Sequence, residues 1–236
     1  MNQARDELHA HYDAMWDDAI GALANGDIDC DTCLGAGPDS RRGLTLLARP
    51  CRMLRERFDA LLDRLTAAEP QQYRYPPSDM HVTILPLFTA TDSPAIELAR
   101  LEDYRAAVNA ALDGIDSFEI DFDGIALSRG AVVARGFPRG AALETLRQRL
   151  RDQLRERGLG ASLDQRYRLV TAHATLFRFM TPLRRPADFA ALLEGLRHEP
   201  FGVTRVDQVE LVINDWYMSI TSLQRVATVP LESSSA

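Results

Sequence analysis

Apolar residues recur along the 236-residue chain at two spacings, and the alternation between them lays out the elements. Over residues 4–24, Leu8, Tyr12, Met15, Trp16, Ala19, Ile20 and Leu23 repeat every three or four positions, as on one helix face, and Asn25-Gly26 supplies a stop. Residues 26–42 are rich in Gly, Asp and Ser and read as a loop. "RGLTLLARP" is a short apolar strand closed by Pro50, and a helix follows with Met53, Leu54, Phe58, Leu61, Leu62 and Leu65 on one side. "QQYRYPPSD" is strand-like until Pro76-Pro77, and "MHVTILPLF" is a strand. "DSPAIELARLEDYRAAVNAALDG" reads as one helix, with Asp92 or Ser93 as cap, Pro94 in the first turn and Gly114 as stop. "SFEIDFDGIAL" alternates apolar and acidic residues, as a half-buried strand does.

The same order then returns. "AVVARGFP" is a strand closed by Pro138. A helix carries Leu143, Leu146, Leu150 and Leu154, and "YRLVTAHATLFRF" is a strand. "PADFAALLEGLRHE" is a helix, "FGVTRVDQVELVI" a strand, and "WYMSITSLQRVATV" one more. Each half thus reads strand, helix, strand, helix, strand, which is a duplication in element order. Element order alone also occurs by coincidence in ordinary α+β proteins. What favours duplication is a motif shared at matching places, His-x-Thr-apolar, in "HVTILPLF" and "HATLFRF".

Composition narrows the function classes. The net charge is −7 and the pI about 5.3, against a protein that coats long nucleic acid and compatible with a small phosphate-bearing substrate in a locally basic cleft. No stretch approaches a membrane span, and "MNQARDELHAHYDAMW" lacks the regions of a signal peptide, so a cytoplasmic, soluble protein is expected. Cys30 and Cys33 form a lone C-x-x-C. His9 and His11 complete a zinc set on paper, but at i, i+2 they point to different sides of a helix. A plain loop with reduced thiols is the expectation there, with no metal and no cofactor.

On a strand, residues i and i+2 share a face, so His81 pairs with Thr83 and His173 with Thr175. Across a pseudo-twofold both pairs would face one cleft, on central strands. Two imidazoles suit a phosphodiester displacement, one taking a proton from the attacking oxygen and one giving a proton to the leaving oxygen. The threonine hydroxyls would donate to non-bridging phosphate oxygens. A single His-x-Thr is commonly structural; the pair in duplicated context points to chemistry.

Two H-x-[T/S]-apolar motifs, one per half of a duplicated α+β chain, resemble the 2H phosphoesterase superfamily, whose bacterial RNA 2′,3′-cyclic phosphodiesterases are often labelled 2′-5′ RNA ligases. The resemblance spans about residues 41–230. It includes "GLTLLARP", "YRYPPSDMHVTILPLF" and "HATLFR", with Arg178 five residues after His173; Ala172 stands where the family often has Pro. It implies a bilobed fold of two antiparallel sheets around a central cleft with helices outside. It also implies His81 and His173 as the catalytic pair and Thr83 and Thr175 as phosphate ligands. Residues 1–40 would then be an added helix and Cys/Gly loop, with halves at about 41–128 and 129–230 and a disordered tail at 231–236.

The function so implied is a metal-independent phosphodiesterase acting on a cyclic or 2′-5′-linked nucleotide or RNA end. Its partner would be a small nucleotide or RNA terminus, with no long duplex, no membrane and an open oligomeric state. The alternatives are a non-catalytic nucleotide- or RNA-end-binding module of the same fold, or a His pair serving sugar or acyl chemistry. Tyr73 and Tyr75 either line the cleft and stack on a base or simply pack. By strict alternation Arg178 points away from His173 and reaches substrate only across a bulge. Tyr217 is expected at the cleft rim, and Arg41 and Arg42 as solvated charges.

Overall fold

The computed structural model describes residues 3–35, 37–160, 163–164 and 168–233. Among these residues nine strands and six helices alternate: α1 (Gln3–Ala24), β1 (Arg42–Ala48), α2 (Arg52–Ala68), β2 (Tyr73–Arg74), β3 (Val82–Thr91), α3 (Ala95–Leu98), α4 (Leu101–Leu112), β4 (Phe118–Ser128), β5 (Ala131–Pro138), α5 (Ala142–Glu156), β6 (Ala174–Arg178), α6 (Pro186–Leu196), β7 (Pro200–Val206), β8 (Gln208–Asn214) and β9 (Gln224–Pro230). They form two antiparallel sheets, ordered β3-β1-β8-β9 and β2-β6-β5-β4-β7. The expected α+β architecture of two helix-flanked antiparallel sheets is what the chain adopts.

The orders β3-β1-β8 and β6-β5-β4 match strand for strand. In each, a strand that follows a His-x-Thr pairs with the opening strand of its own half, and that opening strand pairs on its other side with a strand of the other half. The sheets are therefore not the sequence halves: β2 and β4 belong to the second sheet, and β8 and β9 to the first. The single strand expected over "FGVTRVDQVELVI" is two for this reason, with the chain passing between sheets at Asp207. The histidine strands also differ from expectation in being peripheral. β3 is an edge strand, and β6 is covered on one side only by the two-residue β2.

Other departures have local causes. The helix expected over 92–114 breaks between α3 and α4, where Arg100 donates to the carbonyls of Arg157 and Gly158 just past the end of α5. Residues 215–223 leave the ladder as a loop pinned on Asp215, which accepts from the amides of Tyr217 and Ser219. Leu231 and Glu232 are not a loose tail, since their amides bond Asp207 and Ile115; residues 234–236 lie outside the described set.

Helix α1 packs on β4, β5 and α6, burying Tyr12, Trp16, Ala19 and Leu23. Tyr12 meets Ala126, Val133 and Phe137, and Val133 is the ladder partner of Thr175. Directly opposed residues share a face, so α1 lies on the same face of its sheet as Thr175. His9 stacks on Phe137 with ring centroids 4.2 Å apart. The added helix thus covers part of the sheet face that Thr175 shares. Beside it, Gly136 is needed for close approach, because a Cβ there would meet the carbonyl oxygen of Ala172 at 2.0 Å.

Helix α5 packs on β3 and α4, and it carries two arginines, Arg147 and Arg151, within its leucine stripe. Arg147 is 1% exposed. Its Nε donates to Ile84 O at 2.8 Å and its Nη1 to Val170 O at 3.0 Å. Nη2 donates to Thr83 O at 3.1 Å and Thr171 O at 2.7 Å. One guanidinium thus ties the strand after His81 to the segment before His173. Replacing Arg147 by Leu takes this donor from four carbonyls and is expected to cost about 1–3 kcal/mol or more, the cost of leaving buried acceptors unsatisfied. Arg147→Lys, lacking the planar fork, should recover only part of that loss. Urea unfolding midpoints of the two variants check this order.

Candidate active site

The site begins with how two strands present polar side chains from a buried setting. In β3, Leu46 opposes Leu85 and Leu47 opposes Thr83, so Ile84 is an extra residue, a β-bulge. In β6, Val132 opposes Phe177 and Val133 opposes Thr175, so Leu176 is the extra one. Each bulge lies one residue past the threonine and resets the alternation. Thr83 and Pro86 are consequently the half-exposed positions of β3 up to Phe88, and Thr175 and Arg178 those of β6. The condition under which Arg178 joins the face of Thr175 is met. At the matching place in the first half stands Pro86, tolerated because β3 is an edge.

His81 and His173 come just before their strands and are half-buried. Nδ1 of His81 lies 2.7 Å from the carbonyl oxygen of Asp79, at the end of the turn closed by Asp79 N and Pro76 O. A carbonyl only accepts, so Nδ1 carries the proton and Nε2 of the neutral ring is bare. Nδ1 of His173 lies 2.7 Å from the hydroxyl of Thr171. Burial pulls His81 down from 6.5 to about 4; Arg49 and Arg178 push the same way, and the Asp79 bond opposes. Burial likewise pulls His173 to about 4, assisted by the charges of His81, Arg147, Arg178 and His11. The segments that carry the two imidazoles meet at Arg147, whose Nη2 donates to both Thr83 O and Thr171 O.

Arg178 is held by Tyr75, its Nε donating to the phenol oxygen at 3.0 Å. Tyr75 is 2% exposed, so its hydroxyl, not its ring face, serves the site, and burial raises that phenol's pKa. Tyr73 is the ladder partner of Arg178, half-exposed, and meets Tyr75 edge-on at 5.1 Å. Its phenol is pushed up to about 12, first by burial and then by Tyr75, Asp79 and Asp215. The structure therefore brings His81, His173, Tyr73, Tyr75 and Arg178 together, with Thr83 and Thr175 on the half-exposed faces of the same strands. Tyr217 is buried and its hydroxyl donates to Asp31 at 2.9 Å, while Arg41 pairs with Asp39 and stacks on Trp216 instead of standing in solvent.

Two residues escaped the sequence reading. Arg147 was signalled by a charge inside an apolar stripe, at i+4 from Leu143 and i−3 from Leu150. Thr171 stands at i−2 from His173, where an extended chain returns a side chain to the same side. A cavity of about 460 Å³ between α1 and α5 borders His11 and Arg147, but none of the seven candidate residues lines it. Among the described residues no three His, Cys, Asp or Glu side chains converge on a metal position, and Cys30, Cys33 and Cys51 are free. No helix among them is long and apolar enough to cross a membrane.

A family model described as the 2′-5′ RNA ligase superfamily matches residues 54–215, from the first turn of α2 past the end of β8. The chain belongs to that superfamily, the 2H phosphoesterases. Solved structures share the superfamily fold. The Thermus thermophilus protein TT0787 aligns with TM-score 0.60 at 17% identity, covering 83% of this chain and 100% of that one. A structure described as a phosphoesterase aligns at 0.54 and 14%, covering 82% and 99%. Escherichia coli LigT, solved with 3′-AMP, aligns at 0.53 and 14%, covering 81% and 98%. No curated protein matches the chain.

For this 2H chain the histidine environments set a pH response. Between 6.5 and about 4, unfolded imidazoles bind protons that the folded pair refuses. Stability is therefore full above 6.5 and falls as pH drops through that window. The drop in urea midpoint from pH 7 to pH 4.5 should be smaller in a His81→Asn/His173→Asn double variant than in the parent. An equal drop in both proteins contradicts the depressed values.

Proposed function

We propose that this chain is a phosphodiesterase that acts on a cyclic or 2′-5′-linked nucleotide or RNA end through His81 and His173, without a metal ion. The observation that carries the reading is the tie that Arg147 makes between the two His-x-Thr segments, its Nη2 bonding both Thr83 O and Thr171 O. Each imidazole is anchored at Nδ1, which leaves Nε2 for the substrate. A general acid and a general base are what a displacement at phosphorus needs. As a water oxygen attacks phosphorus, its proton passes to one imidazole. The bond from phosphorus to the ribose oxygen breaks, and that oxygen takes a proton from the other imidazole. The proton gained and the proton lost return through solvent, so the site is restored.

Substrate binding fits the charge state of the site. In the free protein both rings are neutral near pH 7, because burial and neighbouring arginines disfavour the cation. A phosphate anion beside them favours protonation. The diester's charge thus helps create the acid that its own cleavage requires. The hydroxyls of Thr83 and Thr175 and the guanidinium of Arg178 are the donors for the non-bridging oxygens. Tyr73, half-exposed beside Arg178, is the ring available to a base, whereas Tyr75 serves by holding Arg178. The crystal structure of LigT with 3′-AMP supports a nucleotide as the occupant.

On a panel of nucleoside 2′,3′-cyclic phosphates and 2′-5′-linked dinucleotides, His81→Ala and His173→Ala should each lower turnover by about 10²–10⁴-fold. Thr83→Ala and Thr175→Ala should cost about 10–10³-fold. All four should retain the fold by circular dichroism. EDTA should leave the rate unchanged. Loss of activity on chelation, restored by a divalent metal, would sink the metal-free mechanism.

A further inference from the structure

The two histidines stand in matching places of a repeated fold, yet their anchors differ in kind. Both anchors come from position i−2. In the first half the anchor is the backbone carbonyl of Asp79, whose side chain is engaged elsewhere, accepting from Ser78 and the amide of Ile220. In the second half it is the side-chain hydroxyl of Thr171. Thr171 is 5% exposed, and Arg147 clamps its carbonyl at 2.7 Å, so the hydroxyl is delivered from a fixed backbone.

The chemical difference is decisive. A carbonyl accepts only, so neutral His81 keeps its proton on Nδ1 and offers a bare Nε2. A hydroxyl both donates and accepts. It can give its hydrogen to Nδ1 of neutral His173, which places the ring proton on Nε2. It can turn and accept from Nδ1 when the ring is protonated, and again after Nε2 has given its proton away. Thr171 therefore satisfies His173 in every state of a proton-donating cycle. A carbonyl would forbid the resting state in which Nε2 already carries hydrogen.

We infer that Thr171 is a positioning residue that sets His173 as the proton donor of the pair and leaves His81 as the proton acceptor. This rests on the phosphodiesterase reading and extends it to an assignment of roles that the symmetry of the motifs hides. In the balanced step, water's proton goes to Nε2 of His81 as the oxygen–phosphorus bond forms. Nε2–H of protonated His173 supplies the leaving ribose oxygen as the old bond breaks. The charged and titratable groups around His173 are Arg147 from α5, Arg178 on β6, His81 ahead of β3 and His11 on α1. All of them work against the imidazolium, which makes a partner for Nδ1–H and an incoming phosphate anion the features that favour it.

The test compares the full chain with Thr171→Val, which keeps shape and loses the hydroxyl, and Thr171→Ser, which keeps the hydroxyl. Imidazole ¹⁵N shifts at pH 7, without substrate, should show bare Nε2 on His81 and protonated Nε2 on His173. Thr171→Val should shift the His173 signals toward the other tautomer and leave His81 unchanged; Thr171→Ser should match the parent. With a 2′,3′-cyclic nucleotide, Thr171→Val should lower kcat roughly 10–100-fold, as loss of an outer partner of a functional histidine does. It should also move the alkaline limb of the pH profile while KM changes little. A parent His173 with bare Nε2, or turnover by Thr171→Val with an unmoved alkaline limb, overturns the role of Thr171. Absence of turnover in the parent protein overturns the phosphodiesterase reading and the role assignment together, and the ¹⁵N shifts then report only the hydrogen bond.

Discussion

The guanidinium of Arg147 is the point through which the two His-x-Thr segments are held in common. The strands they lead into are peripheral and belong to different sheets, so no ladder joins them. What joins them is a buried cation whose hydrogens end on Thr83, Ile84, Val170 and Thr171. Burying a charge is costly unless it is hydrogen-bonded, and a charge so bonded is directional. A leucine would hold the helix on β3 as well, but it would not fix the spacing of two histidines. The bulge explains why carbonyls are free to be bound: Ile84 is the extra residue of β3, so its oxygen is available to Arg147. In β6 the oxygen of the equivalent residue, Leu176, is taken by the amide of Tyr75.

Most of the elements were legible because burial imposes period. The stripes of α1, α2 and α5 and the alternation of β4 follow from which side of each element meets the core. The paired motifs were legible because a polar His-x-Thr inside an apolar run asks for an explanation. What was not legible depends on partners distant in sequence. "FGVTRVDQVELVI" carries no punctuation at Asp207, yet the chain changes sheets there, because each half of the strand has a different neighbour. The facing of Arg178 turned on a bulge that pairing with β5 decides. Tyr73 and Tyr75 read alike in sequence, and only the sheet leaves one of them at the surface. Thr171 and Arg147 were present as spacing signals but have meaning only once the two segments are seen side by side.

Repetition built this site, and departures from repetition give it direction. Arg178 in one half answers to Pro86 in the other, so this arginine has no counterpart on β3. Tyr75 engages that arginine, and the added helix α1 lies along the same sheet, with Tyr12 bonded to Gly136 at the close approach to Ala172. On the proposed function, a substrate held between the histidines would meet two unlike surroundings. His81 stands by the turn at Pro76–Asp79, itself tied to the loop after β8 through Ile220, whereas β6 carries Arg178 with its tyrosine partner.

The exchange of β4 and β8 between sheets also governs how the protein can come into being. β1 lies between β3 and β8, and its pairs with β8 join Gly43 to Asn214 and Leu47 to Glu210, positions near opposite ends of the chain. During vectorial synthesis the first sheet is left as an open-edged pair, β1 with β3, until almost the whole polypeptide has emerged. Contacts of such sequence separation close slowly. The nascent chain thus carries an unfinished sheet edge through roughly the second half of its synthesis. A chain cut between Ser128 and Ala131 would yield two pieces, the first holding β2 and β4 of the second sheet and the second holding β8 and β9 of the first.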